Sequence, residues 1–352
     1  MRIELLNKSL EEAYTRFIKG FEHTLLYASV KYRELLKEYT HATDEYLVAI
    51  DDNEAIQGVL PLFKKYAEGH GWIYNSLPFY GSNGAIIAAD DNKEVRELLI
   101  NKYLELLQGE DVSAGTIITS PFEANHAFYD EAIKPTYKDS RIGQVTFLPE
   151  NSEQVMDVIH SKTRNNVRKG IRSDVKVSWE DGLEYLDFLF ETHKENMTKI
   201  GGLYKPKEFF ETVTRIFEYG TDYRIYVAKL GDVPVAALLN FYFNKTAEYF
   251  TPVTVEQYRE FQPTSVILYT AMQDAVNDGY KWWNWGGTWL SQGGVYDFKK
   301  KWGTSDLPYY YYTTIKDEQL VKTPKEILLK EYPYFFALPF NQIQNENIGD
   351  SK

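Results

Sequence analysis

The chain has 352 residues, 43% of them hydrophobic and 26% charged, with no Cys and a net charge of −12. That composition belongs to a globular protein and excludes a disordered or fibrous one. The absence of Cys excludes disulfides, thiolate metal sites and a Cys nucleophile, and the acidic balance excludes a broad electrostatic footprint for DNA.

Residues 1–14 are charged and contain no apolar run of signal-peptide type, which predicts a cytoplasmic protein. A helix is expected over 10–21, a strand over 46–50, a turn at 51–54, a second strand over 55–63 and a third over 72–76. The loop Leu77-Pro78-Phe79-Tyr80-Gly81-Ser82-Asn83-Gly84 follows, and its glycines and Tyr80 are candidates to line a ligand cleft. A helix over 93–107, apolar at Val95, Leu98, Leu99 and Leu106, leads to a strand over 114–119.

Turn and cap signals at Pro149-Glu150-Asn151-Ser152 mark a boundary. The reading is a first domain over 1–150, completed by the tail 315–352, and a second over 151–314. In the second, a helix over 183–197 repeats Leu186, Leu189, Phe190 and His193 at helical spacing, which places His193 on a core face. Strands follow over 223–229, 235–243 and 247–253, joined by tight turns at Gly231-Asp232 and Asn244-Lys245. The apolar run 233–243 is too short for a membrane span of about 20 residues and reads as a buried strand. A helix over 264–278, ended by Gly279, precedes a strand over 281–285 that runs into Gly286-Gly287. The tail carries a helix over 324–330. Both halves repeat the order hairpin or meander, loop, helix, strand, which points to an internal duplication.

Three segments carry chemistry. The first is Trp285-Gly286-Gly287-Thr288, a spacer, then Gly293-Gly294-Val295-Tyr296-Asp297-Phe298-Lys299-Lys300-Lys301-Trp302-Gly303. Its glycines allow close backbone approach to a ligand, and a cation beside a reacting carbonyl can hold an oxyanion. The second, Ser161-Lys162-Thr163-Arg164-Asn165-Asn166-Val167-Arg168-Lys169-Gly170-Ile171-Arg172, puts Arg164, Arg168 and Arg172 along one helix face, a plausible seat for phosphates. The third, Phe261-Gln262-Pro263-Thr264-Ser265, opens a helix whose N–H groups suit an anionic donor. The six His show no metal spacing, and the sequence has no His-Glu-x-x-His, Gly-x-Ser-x-Gly or Walker motif. No metal is therefore expected.

The segment over 285–303 resembles the end of the second GNAT-type domain in the Fem (FemABX) peptidoglycan-bridge transferases, where a glycine turn is followed by Phe-Lys, two variable residues, an aromatic and Gly. The segment over 161–172 resembles the element that opens that domain, a Lys-x-Arg-Asn motif followed by Arg and a small residue. The resemblance implies an α/β (α+β) fold of tandem GNAT-like acyltransferase domains, with mixed, mostly antiparallel sheets flanked by helices. It implies Lys299, Phe298 and Asp297 as catalytic candidates, with Lys299 the transition-state cation and Phe298 shaping the pocket. It further implies Lys162, Arg164, Asn165, Arg168, Tyr80, Gly286, Gly287, Thr288 and Tyr296 as substrate-binding candidates, and Pro263, Thr264 and Ser265 at the donor. The expected reaction forms an amide on an amine of a phosphorylated cell-wall or surface-glycan precursor, with aminoacyl-tRNA as donor. The acidic chain keeps acyl-CoA open as donor, although the usual GNAT signature Gln/Arg-x-x-Gly-x-Gly/Ala is absent. A silent glycan- or peptide-binding module on the same fold is the third reading. Peripheral contact with a membrane-bound precursor is compatible with all three. Acyl transfer also needs a proton acceptor, and Asp297 and Glu248 qualify by position alone.

Overall fold

The computed structural model describes residues 1–79, 81–289 and 292–343. The chain divides into two compact units, Met1–Arg141 with Pro308–Lys352, and Ile142–Leu307.

In the first unit, strands Phe63–Ala67 and Gly71–Asn75 form an antiparallel hairpin. Gly71–Asn75 then pairs parallel with Val112–Ile118, and the connection between them contains helix Lys93–Leu106. Val112–Ile118 also pairs antiparallel with residues 311–315 of the last long strand, Thr304–Ile315. A smaller antiparallel sheet joins Arg2–Leu5, Leu47–Ile50, Ile56–Leu60 and Ile87–Ala88. The helix is amphipathic: Val95, Leu99, Ile100 and Tyr103 pack with Leu47, Ala49, Leu60 and Ile117. Asn92 starts it, its side chain accepting from the Val95 N–H at 3.2 Å. The single strand expected over 55–63 is two strands, Ile56–Leu60 and Phe63–Ala67, lying in different sheets. Pro61, between them, has no N–H to continue a ladder.

In the second unit, Lys176–Ser178, Tyr223–Leu230, Val233–Phe243 and Thr246–Thr254 form an antiparallel meander. A 3-10 turn, Glu256–Phe261, and helix Pro263–Asn277 lead to strand Trp282–Thr288, which pairs parallel with Thr246–Thr254. The far side of Trp282–Thr288 pairs antiparallel with the end of strand Tyr137–Phe147. Helix Pro263–Asn277 buries Val266, Ile267, Leu268 and Met272 in a core with Tyr226, Leu238 and Trp283. Each such aliphatic side chain stabilises the unit by roughly 1.5–3 kcal/mol. The helix ends as its sequence dictates. Gly279 adopts φ 82°, its N–H bonds the Val276 carbonyl, and the Tyr280 N–H bonds the Ala275 carbonyl at 2.9 Å.

Each unit thus contains a hairpin or meander, then a helical crossover between two parallel strands. This is the tandem GNAT-like plan that the repeated order predicts. Among the described residues no helix is long and apolar enough to cross a membrane.

Candidate active site

The two parallel strands of the second unit are paired only at their beginnings, Thr246–Glu248 against Trp282–Asn284. Beyond that point Thr246–Thr254 stays with Val233–Phe243, while Trp282–Thr288 follows Tyr137–Phe147. Among the described residues no ladder joins the two strands past Glu248 and Asn284, so their backbones part there. Tyr249 and Trp285 lie just beyond the fork, ring centroids 5.0 Å apart.

The glycine turn bends the second strand away. Its pairing with Tyr137–Phe147 is irregular between Asn284 and Gly287. Gly286 takes φ 73°, a left-handed conformation that a side chain disfavours, and nothing lies within 4 Å of where its Cβ would stand. The Asn284 side chain holds this turn from both ends. Its Oδ1 accepts the Gly286 N–H at 2.9 Å, and its Nδ2 donates to Glu248 Oε2 at 2.8 Å. Glu248 is only 1% exposed.

Lys299 approaches from helix Gly293–Lys300, of which it is the only buried residue among those described. Its ammonium donates to the Gly287 carbonyl at 3.3 Å and to Thr288 Oγ1 at 2.9 Å. A relay fixes that second partner. The Thr288 hydroxyl spends its hydrogen on Gln144 Oε1 at 2.9 Å, so its lone pairs face the lysine. Gln144 is oriented in turn because its Nε2 donates to the Tyr296 carbonyl at 3.2 Å and to Thr304 Oγ1 at 3.3 Å. Among the described residues, two of the three ammonium donors are therefore engaged and one is left for a ligand.

Lys299 is 6% exposed, and among the described residues no carboxylate lies within ion-pair distance of it. Burial alone lowers its pKa to about 8. A shift of that size corresponds to about 3 kcal/mol of destabilisation of the charged form. An uncompensated buried cation of this kind is more characteristic of a functional position than of a structural one.

The other predicted residues fall around this centre. Phe298 leans edge-on against Trp285, centroids 6.1 Å apart, with 39% of its surface exposed. Asp297 is exposed, and Tyr296 directs its hydroxyl to Asp306 at 2.7 Å. Helix Ser161–Arg172 begins beside the lysine helix: the His160 N–H donates to the Lys301 carbonyl at 2.9 Å. Its middle touches the start of helix Pro263–Asn277, since a Cβ on Gly170 would lie 3.1 Å from the Phe261 carbonyl and 3.2 Å from that of Gln262. The fold thereby brings the three motifs of this unit together. Within the basic helix, Arg164 is half-buried and donates to the Met156 and Ile159 carbonyls at 3.3 and 3.0 Å. Lys162, Asn165, Arg168 and Arg172 are exposed. Pro263 occupies the first turn of its helix, and Thr264 shares a hydroxyl–hydroxyl hydrogen bond with Thr254. The Ser265 N–H bonds back to the Gln262 carbonyl at 3.0 Å. Tyr80 lies outside the described residues.

Three residues of the centre escape sequence reasoning: Gln144, Asn284 and Thr304. Asn284 leaves a trace as the polar residue in Trp283-Asn284-Trp285, where a buried strand otherwise shows only aromatics. Gln144 leaves none, because its strand reaches the site from a distant part of the chain, and Thr304, directly after Gly303, gives no sign of a partner 160 residues away.

Residues 161–300 match the family model of the acetyltransferase (GNAT) domain. No curated protein matches the chain by sequence. Among solved structures the chain is similar to FemX, with a TM-score of 0.74 and 16% identity over 92% of this chain and 99% of that one. It is also similar to a tandem GNAT protein from the clavulanic acid biosynthesis pathway, with a TM-score of 0.53 and 10% identity over 89% and 98% of the two chains. L-PGS from Bacillus licheniformis gives a TM-score of 0.52 and 11% identity over 86% and 96%. At these identities the likeness establishes the fold. The chain has a tandem GNAT-like fold, similar to that of these structures, and the residues that match the GNAT domain lie in the second unit.

Proposed function

We propose that this chain is an acyltransferase that forms an amide on an amine of a cell-wall or surface-glycan precursor, with Lys299 as the cation that holds the transition state. The observation that carries this reading is the buried, uncompensated ammonium with one donor unused, placed beside the glycine turn where the strands part. The acyl donor supplies an activated carbonyl. An amine attacks that carbonyl, a C–N bond forms, and the carbonyl π electrons move onto oxygen. The third N–H of Lys299 meets that oxyanion, with a preorganised donor of this kind typically contributing about 3–4 kcal/mol. Collapse of the intermediate expels the thiolate of CoA or the ribose hydroxyl of tRNA, which leaves with a proton. The proton lost from the attacking amine needs an acceptor. Of the two candidates Glu248 sits at the fork and Asp297 faces solvent, which favours Glu248.

Aminoacyl-tRNA is the donor we favour, and the likeness to FemX supports it. The match of residues 161–300 to the acetyltransferase (GNAT) domain favours a second reading, acyl-CoA, at the same site. The exposed Lys162, Arg168 and Arg172 are assigned to the phosphates of the acceptor precursor, and the first turn at Pro263, Thr264 and Ser265 to the donor. The reaction is assigned to the cytoplasm, where both donors are made. The test is to supply labelled aminoacyl-tRNA or acyl-CoA with a UDP-muramyl peptide and to follow label in the acceptor. Label passing from neither donor to any amine acceptor would sink the proposal and leave a binding module.

A further inference from the structure

We propose that Lys205 is a modification site, a reactive amine that takes an acyl group directly from an acyl thioester such as acetyl-CoA. Lys205 stands in the loop 200–206, between helices Leu186–Lys199 and Lys207–Ile216 of the second unit. The loop is pinned at this residue, because the Lys205 N–H donates to His193 Nε2 at 3.1 Å. The side chain runs over an aromatic floor. Its ammonium lies 5.1 Å from the centroid of the Phe250 ring, which stacks on Phe209 at 5.8 Å and meets Phe241 edge-on at 5.0 Å.

Among the described residues the Lys205 ammonium has no hydrogen bond and no carboxylate at ion-pair distance. The residue is half-buried, yet its Nζ is not sealed from solvent, so a reagent can reach it. A ring face attracts a cation by about 0.5–2 kcal/mol, which does not make up for lost water. Burial is the cause that acts on the group, and it lowers the pKa to about 8. His193 beside it is held to a pKa of about 4 and so is neutral at pH 7. Burial also lowers the pKa of Lys65 and Lys299, but their amines are engaged. Lys65 Nζ donates to the Thr40 carbonyl at 2.6 Å, and Lys299 Nζ to Gly287 and Thr288. The two lysines that flank the loop behave in the opposite way. Lys199 pairs with Glu195 at 2.8 Å and Glu256 at 2.7 Å, Lys207 pairs with Asp187 at 2.7 Å, and these partners raise both pKa values.

Only an unprotonated amine is a nucleophile. At pH 8 about half of the Lys205 amines carry no proton, against about 0.3% for a lysine of ordinary pKa. A less basic nucleophile is intrinsically slower, as with thiols, which takes back part of that advantage. The neutral amine attacks the thioester carbonyl carbon and a C–N bond forms. The carbonyl electrons move onto oxygen and return as the C–S bond breaks. CoA leaves as the thiolate and takes up the proton that the nitrogen loses. The product is an uncharged amide on Lys205, and the step does not call on Lys299.

The test incubates the full chain with acetyl-CoA at pH 8, digests it with chymotrypsin and follows acetylation of Lys199, Lys205 and Lys207 by mass spectrometry. Lys205 is expected to be acetylated about ten-fold faster than Lys199 or Lys207. In urea the environment of the loop is lost, and the three lysines should react at similar rates. Lys205 reacting no faster than its two neighbours in the folded chain overturns the inference, and so does an advantage that survives in urea. Lys299→Met is expected to acetylate at Lys205 at the parent's rate. Labelled Lys205 in a protein that transfers nothing to an acceptor therefore removes the acyltransferase assignment and keeps this inference, and an active enzyme with Lys205 unlabelled does the reverse.

Discussion

Replacing Lys299 by Met should make the protein more stable and nearly inactive. Met keeps the length of the lysine stem and removes the buried charge. Burial lowers the Lys299 pKa from 10.5 to about 8, so at pH 7 the folded state carries a charged group it disfavours by about 3 kcal/mol. Losing the hydrogen bonds to Gly287 and Thr288 returns roughly 1–2 kcal/mol of that gain. The Thr288 hydroxyl keeps Gln144 as its acceptor, so the substitution does not orphan it. The net expectation is a stabilisation of about 1–2 kcal/mol at pH 7, read as a rise in Tm of roughly 2–8 °C. The sign of the pH dependence is fixed. Between about pH 8 and 10.5 the unfolded lysine still binds a proton and the folded one has released it. Stability of the parent therefore rises with pH across that window, and the advantage of Lys299→Met shrinks. Turnover should fall by about 10²–10³-fold, the usual effect of removing one oxyanion donor. Calorimetry at pH 7 and 9.5 together with an acyl-transfer assay checks all three. A variant less stable than the parent at pH 7, or an advantage that does not shrink at high pH, would refute the reasoning.

Three further outcomes follow from the same geometry. Thr288→Val leaves Gln144 Oε1 without its donor and Lys299 with one partner, and should cost about 1–3 kcal/mol in urea denaturation while lowering turnover. Gly170→Ala places a methyl 2.4 Å from Val266 Cγ2, and should destabilise by about 1–3 kcal/mol as the basic helix is pushed from the start of helix Pro263–Asn277. His193 is buried, accepts the Lys205 N–H at 3.1 Å, and is held to a pKa of about 4 by burial first and by the Lys205 charge second. The unfolded histidine binds its proton near pH 6.5, so stability should fall by about 2 kcal/mol from pH 7 to 5, and His193→Gln should flatten that limb of the curve. An acid limb unchanged in His193→Gln would contradict the assignment.

Much of the second unit is legible in its sequence, for identifiable physical reasons. Helix Ser161–Arg172 has apolar Val167 and small Gly170 on its inner face, and helix Pro263–Asn277 carries Pro at its first turn and Gly279 after its last. Local chemistry alone decides such boundaries. His193 on the apolar face of helix Leu186–Lys199 is buried and bonded, as its spacing predicts. What the sequence hides is long-range. Strand Thr304–Ile315, with four consecutive tyrosines, shows no alternation, and its role depends on partners almost 200 residues away. Helices Val30–Thr40 and Lys207–Ile216 also pass unread, the second because Gly201, Gly202 and Pro206 just before it read as loop. At the site, the Lys299 motif is legible because glycines and a lysine stand close in sequence. The relay that aims the lysine is not, since Gln144 meets Thr288 and Thr304 only in the folded sheet.

The measurement that bears most directly on the central claim is acyl transfer by the parent protein and by Lys299→Met, at matched folding. Labelled aminoacyl-tRNA and acyl-CoA are each offered with a UDP-muramyl peptide or an amino sugar, and amide product is quantified by mass spectrometry. The account predicts product from one donor with the parent protein and a loss of at least about 100-fold in Lys299→Met. Undiminished product from Lys299→Met would contradict the role of the buried lysine, and no product from either donor would contradict the assignment as an acyltransferase.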